Sequence, residues 1–291
     1  MTPAFGDPDE VRRRLDEADY LTDDGLATAV HLALRLGLPL LLEGEPGVGK
    51  TSAAKALAEI LGAPLVRLQC YEGLTVGEAV YEWNYQRQLL AIRLAEARGD
   101  RLADADLFTA EFLQERALLR CVRHRGPTPP VLLIDEIDRA DDEFEALLLE
   151  FLGEGSVTVP ELGTFTAARP PVVVLTSNRS RDLHDALRRR CLYHWIEFPR
   201  PDRAAAILRR RVPGASRALI AAATEFVGEA RRLDLDKVPG MAETINWVAA
   251  LGVLGVAELV PEAIERTLGA LAKTPDDREL MLGSLGGPQR C

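Results

Sequence analysis

The sequence predicts an α/β fold followed by an all-helical C-terminal domain. Over residues 1–200, short apolar runs alternate with segments of helical periodicity, which is typical of βαβ units and a parallel sheet. After Pro199 the strand-like runs stop and only helical patterns remain. With 291 residues, the chain is long enough for one large domain or two smaller ones, and 47% hydrophobic residues are enough for a buried core.

Five apolar runs predict the buried strands of the sheet, at 38–44, 63–70, 130–135, 171–178 and 193–198. Helical periodicity predicts helices on both faces of that sheet, at 24–36, 50–61, 106–123, 142–152 and 181–189. The C-terminal helices are predicted at 201–212, 216–233, 241–254 and 260–271. We therefore expect an α/β domain over 1–200, a helical domain over 201–277 and a flexible tail over 278–291.

Two segments interrupt the alternation of strands and helices. Residues 71–90 contain glycines and aromatic residues where a simple crossover helix is expected. Residues 156–171 alternate in a β-like pattern on either side of a Pro-Glu-Leu-Gly turn, which predicts a hairpin. Both segments are interpreted as insertions into the α/β core.

Composition limits the classes of partner and the compartment. The net charge of −10 argues against a general electrostatic attraction to nucleic acid or anionic lipid. No secretion signal precedes residue 20, and the apolar run at 247–257 is too short to span a bilayer. The four cysteines show neither CxxC nor Cys/His ligand spacing, so we expect reduced thiols and a cytoplasmic protein.

A glycine-rich loop between the first strand and the next helix predicts a phosphate-binding site. The segment "GEPGVGKT" matches G-x-x-x-x-G-K-[ST] at every fixed position, and its glycines allow backbone N–H groups to face phosphate oxygens. We expect Lys50 to reach the β- and γ-phosphates of ATP and the Thr51 hydroxyl to bind Mg²⁺. The predicted nucleotide-binding residues are Gly44, Glu45, Pro46, Gly47, Val48, Gly49, Lys50, Thr51 and Ser52.

Adjacent carboxylates at the end of the third strand predict hydrolysis. Asp135 ends "VLLID" and is expected to hold Mg²⁺, while Glu136 is expected to act as general base on the attacking water. The alternative is that Asp135, Glu136 and Asp138 only begin a solvated loop. Asn178 ends the fourth strand at the same edge, where its amide could contact both the γ-phosphate and the water, although strands also end in Asn at ordinary turns.

Together these motifs resemble those of the AAA+ ATPases: "GEPGVGKT" as Walker A, "LLIDE" as Walker B and "TSN" as sensor 1. Within that group, "LQCYEGL", "IDEIDRAD", "VTVPELGTF" and "LRRRCLYHWIEFP" are similar to the MoxR family and its CoxD-like branch. The resemblance extends to about residue 255. It implies a P-loop NTPase core with a parallel sheet ordered 5-1-4-3-2, a helical lid, and inserts at 71–90 and 156–171.

The resemblance also implies a homo-oligomeric ring, usually a hexamer, in which an arginine of one subunit completes the ATP site of the next. Three consecutive arginines precede the fifth strand, and Arg190 aligns with this arginine finger. Arg189 is the second candidate, and Arg188 is assigned to the interface or the nucleotide. Alternatively, these cations only complement the dipole at a helix C-terminus.

The chain departs from the family pattern at the start of a late lid helix, where Glu243 stands in place of the expected sensor-2 arginine. Either another arginine enters the site, from the triplet or Arg139, or lid closure couples more weakly to the γ-phosphate. Residues 20–29 are expected to contribute the purine pocket.

The family resemblance implies a chaperone-like ATPase that remodels a protein client with a partner bearing a von Willebrand factor A domain, and for the CoxD-like branch metalloenzyme maturation. The two inserts would face the client or pack between subunits. The alternative is a nucleotide-gated binding scaffold with little hydrolysis. A DNA motor is disfavoured because the acidic chain has no appended nucleic-acid-binding domain, and we expect no membrane partner.

Overall fold

The alternation of strands and helices is present in the structure, a computed structural model that describes residues 5–285. The strands are β1 (Leu40–Glu43), β2 (Leu65–Gln69), β3 (Tyr81–Trp83), β4 (Leu113–Glu115), β5 (Val131–Asp135), β6 (Ser156–Val159), β7 (Gly163–Thr166), β8 (Val172–Ser177) and β9 (Leu192–Trp195). The first helices are α1 (Pro8–Glu17), α2 (Asp24–Leu36), α3 (Lys50–Ile60), α4 (Val76–Val80), α5 (Tyr85–Arg98), α6 (Asp104–Leu107) and α7 (Ala117–Arg123). They are followed by α8 (Asp142–Glu154), α9 (Asp185–Arg190), α10 (Pro201–Arg211), α11 (Arg217–Ala230), α12 (Met241–Val253), α13 (Pro261–Thr267) and α14 (Pro275–Leu285).

Five parallel strands form the central sheet in the order β2-β5-β8-β1-β9. Counted along the chain within this sheet alone, the order is 2-3-4-1-5, which read from the opposite edge is 5-1-4-3-2. The inner strand β5 is buried throughout, because helices of the crossover connections cover a parallel sheet on both faces. The carboxyl ends of β5 and β8, where Asp135 and Asn178 lie, therefore meet at one edge.

The chain forms two units. The first contains residues 5–43 and 51–195, with the sheet, and the second contains residues 44–50 and 196–285. The main boundary follows β9, close to the predicted boundary at residue 200. In the second unit, α10–α14 enclose a core around the fully buried Trp247, whose indole N–H donates a hydrogen bond to the Thr267 hydroxyl at 2.8 Å.

Both predicted interruptions have structure of their own. β6 and β7 form an antiparallel hairpin within 156–171. Within 71–90, α4 leads into β3, and β3 pairs antiparallel with β4, which lies 30 residues further along the chain. The segment from β3 to β4, with α5 and α6 between its strands, is called the insert below.

The predicted helix over 106–123 is wrong. Its first half contains the last two residues of α6 and strand β4, and the next helix begins only at residue 117. Leu113 pairs with Trp83, and the N–H of Asn84 donates to the carbonyl of Phe112 at 2.8 Å. Pairing with a distant strand therefore outweighs the local helical pattern.

Two other helix predictions differ from the structure at their ends. Helix α9 begins at Asp185 because Glu145 holds the preceding residues in a turn, where it accepts hydrogen bonds from the Arg181 guanidinium and the His184 N–H. At the C-terminus, α14 continues through residue 285 with Met281 fully buried, although a flexible tail was predicted from residue 278. Residues 286–291 lie outside the described residues. In the described part of the chain, no helix combines the length and apolar character needed to span a membrane.

Candidate active site

The glycine loop lies in the second unit and has the backbone that its sequence predicts. Gly44, Gly47 and Gly49 have φ values of 157°, 77° and 102°, a region that residues with a side chain rarely occupy. Lys50 is buried, and its Nζ donates hydrogen bonds to the carbonyls of Gly44 at 2.7 Å and Glu45 at 2.9 Å. The ammonium group is therefore held on the loop itself.

The start of α12 packs directly on this loop. The N–H of Met241 donates to the carbonyl of Gly47 at 3.0 Å. A Cβ atom on Gly240 would lie 2.7 Å from the Cα of Gly47 and 2.9 Å from the carbonyl oxygen of Pro46. Such a close approach between two backbones requires glycine.

In the first unit, Asp135 is buried at the end of β5, and its carboxylate accepts hydrogen bonds from three side chains. Thr51 Oγ1 lies 3.0 Å and Thr176 Oγ1 2.5 Å from Oδ1. The Arg67 guanidinium contacts Oδ2 through Nε at 3.0 Å and Nη2 at 2.6 Å. The structure thus brings together Thr51 and Asp135, the two residues predicted to hold Mg²⁺.

Glu136 has a backbone conformation that is rare for a residue with a side chain. Its φ and ψ are 56° and 52°, in the left-handed region, and its N–H donates to Thr176 Oγ1 at 2.9 Å. Its carboxylate is partly exposed and contacts the Arg139 guanidinium at 3.3 Å. Strained residues that the surrounding contacts hold in place are concentrated at functional sites. The Glu136 carboxylate therefore lies in a more exposed environment than the buried carboxylate of Asp135.

Asn178 is held in place by Asp138, which follows Glu136 by two residues. The buried Asp138 carboxylate accepts hydrogen bonds from the N–H of Asn178 at 3.2 Å and the N–H of Ser180 at 2.8 Å. The hydroxyl of Ser180 donates to the same carboxylate at 2.6 Å. Asp138 is thus a buried structural acceptor, and the alternative of a solvated loop does not hold for this residue.

The three consecutive arginines have different environments. Arg188 contacts the buried Glu43 carboxylate at 3.3 Å and lies over the ring of Tyr193. Arg189 is 81% exposed. Among the hydrogen bonds and ion pairs of the described residues, its only partner is the exposed Asp185. Arg190 donates to the carbonyl of Leu149 in α8. Both predicted finger residues are exposed, but Arg190 also contacts the backbone of α8 in the same chain.

Sequence reasoning missed the roles of Arg67, Thr176 and Asp138. Thr176 lies near the end of β8, two residues before Asn178, and alternate residues of a strand face the same side of a sheet. That alternation was the available signal for Thr176. The contact of Arg67 with Asp135 depends on the pairing of β2 with β5, which no local pattern encodes.

The residues around Asp135 fit Mg²⁺. In nucleotide sites this ion binds oxygen ligands, and typically takes one or two protein carboxylates together with phosphates and waters. A hydroxyl and a buried carboxylate 3.0 Å apart supply such oxygens. Among residues 5–285, no group of three or more His, Cys, Asp or Glu side chains is arranged to hold a metal ion by itself.

Parts of several known proteins are similar to this chain. A 31% identical stretch of 160 residues matches a mitochondrial Lon protease homologue of Phaeodactylum tricornutum, covering 51% of this chain and 15% of that protein. The Lon protease of Clostridium beijerinckii is 31% identical over 140 residues, which is 46% of this chain and 15% of the relative. An uncharacterized Bacillus subtilis protein, YeaC, is 31% identical over 140 residues, or 48% of this chain and 34% of that protein.

This chain therefore matches only about one seventh to one third of the length of these relatives. The family model for the AAA domain of the dynein-related subfamily matches residues 39–191, which include the glycine loop, Asp135, Glu136, Asn178 and the arginine triplet. The chain belongs to the AAA domain family, dynein-related subfamily.

Proposed function

We propose that this protein is a Mg²⁺-dependent ATPase that works in a ring of identical subunits and remodels a protein client. The observation that carries the proposal is the arrangement at the ends of β5 and β8. There Asp135 meets the Thr51 hydroxyl, the adjacent Glu136 carboxylate is partly exposed, and Asp138 holds the backbone of Asn178. Water attack on a phosphate requires these three functions, which are metal binding, a general base and a polar contact to the water.

Each residue then has one role. The N–H groups of the glycine loop and Lys50 bind the phosphates, and Thr51 and Asp135 hold Mg²⁺. When bound, Mg²⁺ neutralises charge that develops on the phosphate oxygens. Glu136 accepts a proton from the attacking water, and the Asn178 amide orients that water. The partial exposure of Glu136 allows water to reach its carboxylate.

For the arginine finger, the contacts of the two exposed arginines favour Arg189 over Arg190. A finger must leave its own subunit and contact a phosphate bound by the next one. The Arg189 guanidinium extends into solvent, whereas the Arg190 guanidinium would first have to give up its contact with Leu149. We therefore propose Arg189 as the arginine that crosses the interface, with Arg190 as the alternative.

The insert supports a role in contacting a client. Helix α5 exposes the large apolar residues Tyr85, Leu89, Leu90 and Leu94, each by 49% or more. Several exposed apolar residues on one helix are typical of a surface that binds another protein. We propose a MoxR-type chaperone of the CoxD-like branch, with a partner that bears a von Willebrand factor A domain and a role in metalloenzyme maturation. This part of the proposal rests on the sequence resemblance.

The central test is Glu136→Gln, with Glu143→Gln as a matched control. Loss of the general base should lower the ATP turnover about 100-fold or more, while the Kd for Mg-ATP stays within about threefold of the wild type. Glu143 lies in the exposed first turn of α8, so its change should leave turnover unaltered. Parental turnover in Glu136→Gln would refute the assignment of the base.

One observation favours the second candidate function, a nucleotide-gated scaffold with little hydrolysis. Glu243 occupies the start of α12, where the related ATPases are expected to carry an arginine that senses the γ-phosphate. A steady-state ATPase assay on the wild type, alone and with a protein client, separates the two. Turnover that stays at the level of Glu136→Gln under both conditions would favour the scaffold.

A further inference from the structure

A carboxylate lies against the phosphate-binding loop. Glu243 Oε2 accepts a hydrogen bond from the N–H of Gly240 at 3.1 Å. The same atom lies 3.1 Å from the point that a Cβ atom on Gly47 would occupy. Because the N–H of Met241 also donates to the Gly47 carbonyl, the first turn of α12 holds this carboxylate beside the loop.

The sign of this charge matters because the loop is suited to anions. The N–H groups of a G-x-x-x-x-G-K-[ST] loop face the phosphates of a nucleotide. A carboxylate within a few ångströms of the loop backbone repels those phosphates, and the repulsion is strongest where water is partly excluded. As a helix cap alone, Glu243 could be replaced by glutamine, whose side-chain oxygen accepts the same hydrogen bond. The negative charge is therefore the part of Glu243 that capping does not require.

A partly buried cation, Arg231, lies at the start of the segment that leads to α12. The Nε of Arg231 donates to the carbonyl of Pro239 at 2.9 Å, and its guanidinium lies over the ring of Phe198 at 4.3 Å. Its Nη2 is buried without a hydrogen-bond partner among the described residues. Burial lowers the pKa of Arg231 to about 10 and the charge of Glu243 opposes this effect, so the guanidinium stays protonated at neutral pH.

We propose that Glu243 lowers the nucleotide affinity of this protein by weakening phosphate binding at the glycine loop. In this proposal, Arg231 is the cation that partly offsets the negative charge of Glu243. This inference rests on the proposed nucleotide-binding function. The loop would then hold ATP less tightly than its motif alone predicts. Replacing Glu243 by a neutral residue should therefore strengthen nucleotide binding.

The test compares Glu243→Gln with the wild type and with Glu262→Gln, by titration of Mg-ATP. Glu262 also lies in the first turn of a helix of the second unit and is exposed, so its change removes an equal charge away from the loop. Glu243→Gln should bind Mg-ATP about three- to tenfold more tightly at low salt. The gain should shrink at high salt, where charge repulsion is screened. An unchanged or weaker affinity, or a gain independent of salt, would overturn the inference.

A second pair of variants tests the cation. Arg231→Gln should weaken Mg-ATP binding when Glu243 is present and have a smaller effect in the Glu243→Gln background, because the two charges are coupled. Equal effects in both backgrounds would overturn the role of Arg231. Thermal unfolding of each variant checks that the helical unit stays folded. Binding by neither the wild type nor Glu243→Gln would refute the proposed function together with the inference, whereas equal binding by both refutes only the inference.

Discussion

The carboxylate of Asp138 accepts a hydrogen bond from the backbone N–H of Asn178, 3.2 Å from Oδ1. Asp138 lies in the short 3-10 helix after β5, and Asn178 follows β8. The contact therefore ties the segment that carries Glu136 to the segment that carries the proposed water-orienting amide. A substitution at the end of β5 should therefore also alter the conformation at the end of β8.

Asp138→Asn should lower ATP turnover without preventing nucleotide binding. The side-chain NH2 group of the new asparagine would face the N–H of Asn178 or Ser180. Because two donors that face each other repel, Asn178 would be displaced. We expect turnover to fall about 10- to 100-fold and the free energy of unfolding to fall by about 1–3 kcal/mol. Steady-state ATPase rates, titration of Mg-ATP and urea unfolding measure the three quantities.

Asp141→Asn is the matched control, because Asp141 caps α8 through the N–H of Phe144 and asparagine caps helices equally well. Its turnover and stability should equal those of the wild type. If Asp138→Asn and Asp141→Asn behave alike, Asp138 does not position the Asn178 segment.

The glycine loop, the carboxylate pair and the parallel sheet could be predicted because each is encoded within a few consecutive residues. Five apolar runs fixed the strands of the sheet, and the spacing of Gly44 and Lys50 fixed the loop. Helix α1 carried a local signal too, with the capping Asp7, Pro8 in the first turn and the buried pair Val11 and Leu15. Hydrophobic periodicity does not predict this helix, because only two positions of the short, polar segment are apolar and buried.

The remaining features depend on pairs of residues that are distant in the sequence. Asp138 meets Ser180 across 42 positions, and Trp83 pairs with Leu113 across 30. Such contacts become predictable only once the order and register of the strands are known. For the same reason, the sequence does not show how the contacts of Arg189 and Arg190 differ, since the difference is a hydrogen bond to the carbonyl of Leu149 on another helix.

Alanine substitution should separate the roles of Arg189 and Arg190. Arg189→Ala should leave the free energy of unfolding within about 0.5 kcal/mol, because exposed ion pairs such as Arg189–Asp185 contribute little. Arg190→Ala should lower it by about 1 kcal/mol, because the contact with the Leu149 carbonyl is lost. Both variants are measured by urea unfolding, and their ATPase rates are compared with that of the wild type.

Mixed rings then test which arginine acts between subunits. Arg189→Ala subunits retain Glu136, and Glu136→Gln subunits retain Arg189, so mixing two inactive proteins should restore activity at some interfaces. Arg190→Ala mixed with Glu136→Gln is the comparison. Rescue only with Arg190→Ala would assign the finger to Arg190, and rescue with neither would contradict a finger that acts between subunits.

Alkaline pH should destabilise the protein through its buried thiols. Burial and, to a smaller extent, the charge of Asp135 raise the pKa of Cys70 to about 12. In the unfolded chain the thiol loses its proton above about pH 8.5, so the unfolded state gains stability from there upward. The stabilisation is complete below the unfolded pKa and is lost as pH rises toward 12.

Cys70→Ala isolates this effect from other groups that titrate at high pH. Between about pH 9 and 11, the free energy of unfolding of the wild type should fall more steeply than that of Cys70→Ala, by up to about 1.4 kcal/mol per pH unit. Urea unfolding at a series of pH values measures both slopes. Parallel slopes would show that the Cys70 thiol is accessible to solvent in the folded protein.

Alanine substitution of two glycines near opposite ends of α12 should change the free energy of unfolding in opposite directions. A Cβ atom on Gly240 would lie 2.7 Å from Gly47 Cα and 2.9 Å from the Pro46 carbonyl oxygen, so the phosphate-binding loop would have to move. The φ of Gly240 is −83°, which alanine adopts without strain, so any effect comes from this contact. Gly252 lies within the helix, and a Cβ atom there would meet no heavy atom within 4 Å.

Gly240→Ala should therefore weaken Mg-ATP binding about tenfold and lower the free energy of unfolding by about 1–3 kcal/mol. Gly252→Ala should leave the affinity unchanged and raise the free energy of unfolding by up to about 1 kcal/mol, because alanine favours the helix. Titration of Mg-ATP and thermal unfolding measure both pairs of values. A methyl group on residue 240 cannot be accommodated while α12 packs against the loop. Wild-type affinity in Gly240→Ala would therefore mean that nucleotide binding does not depend on this packing.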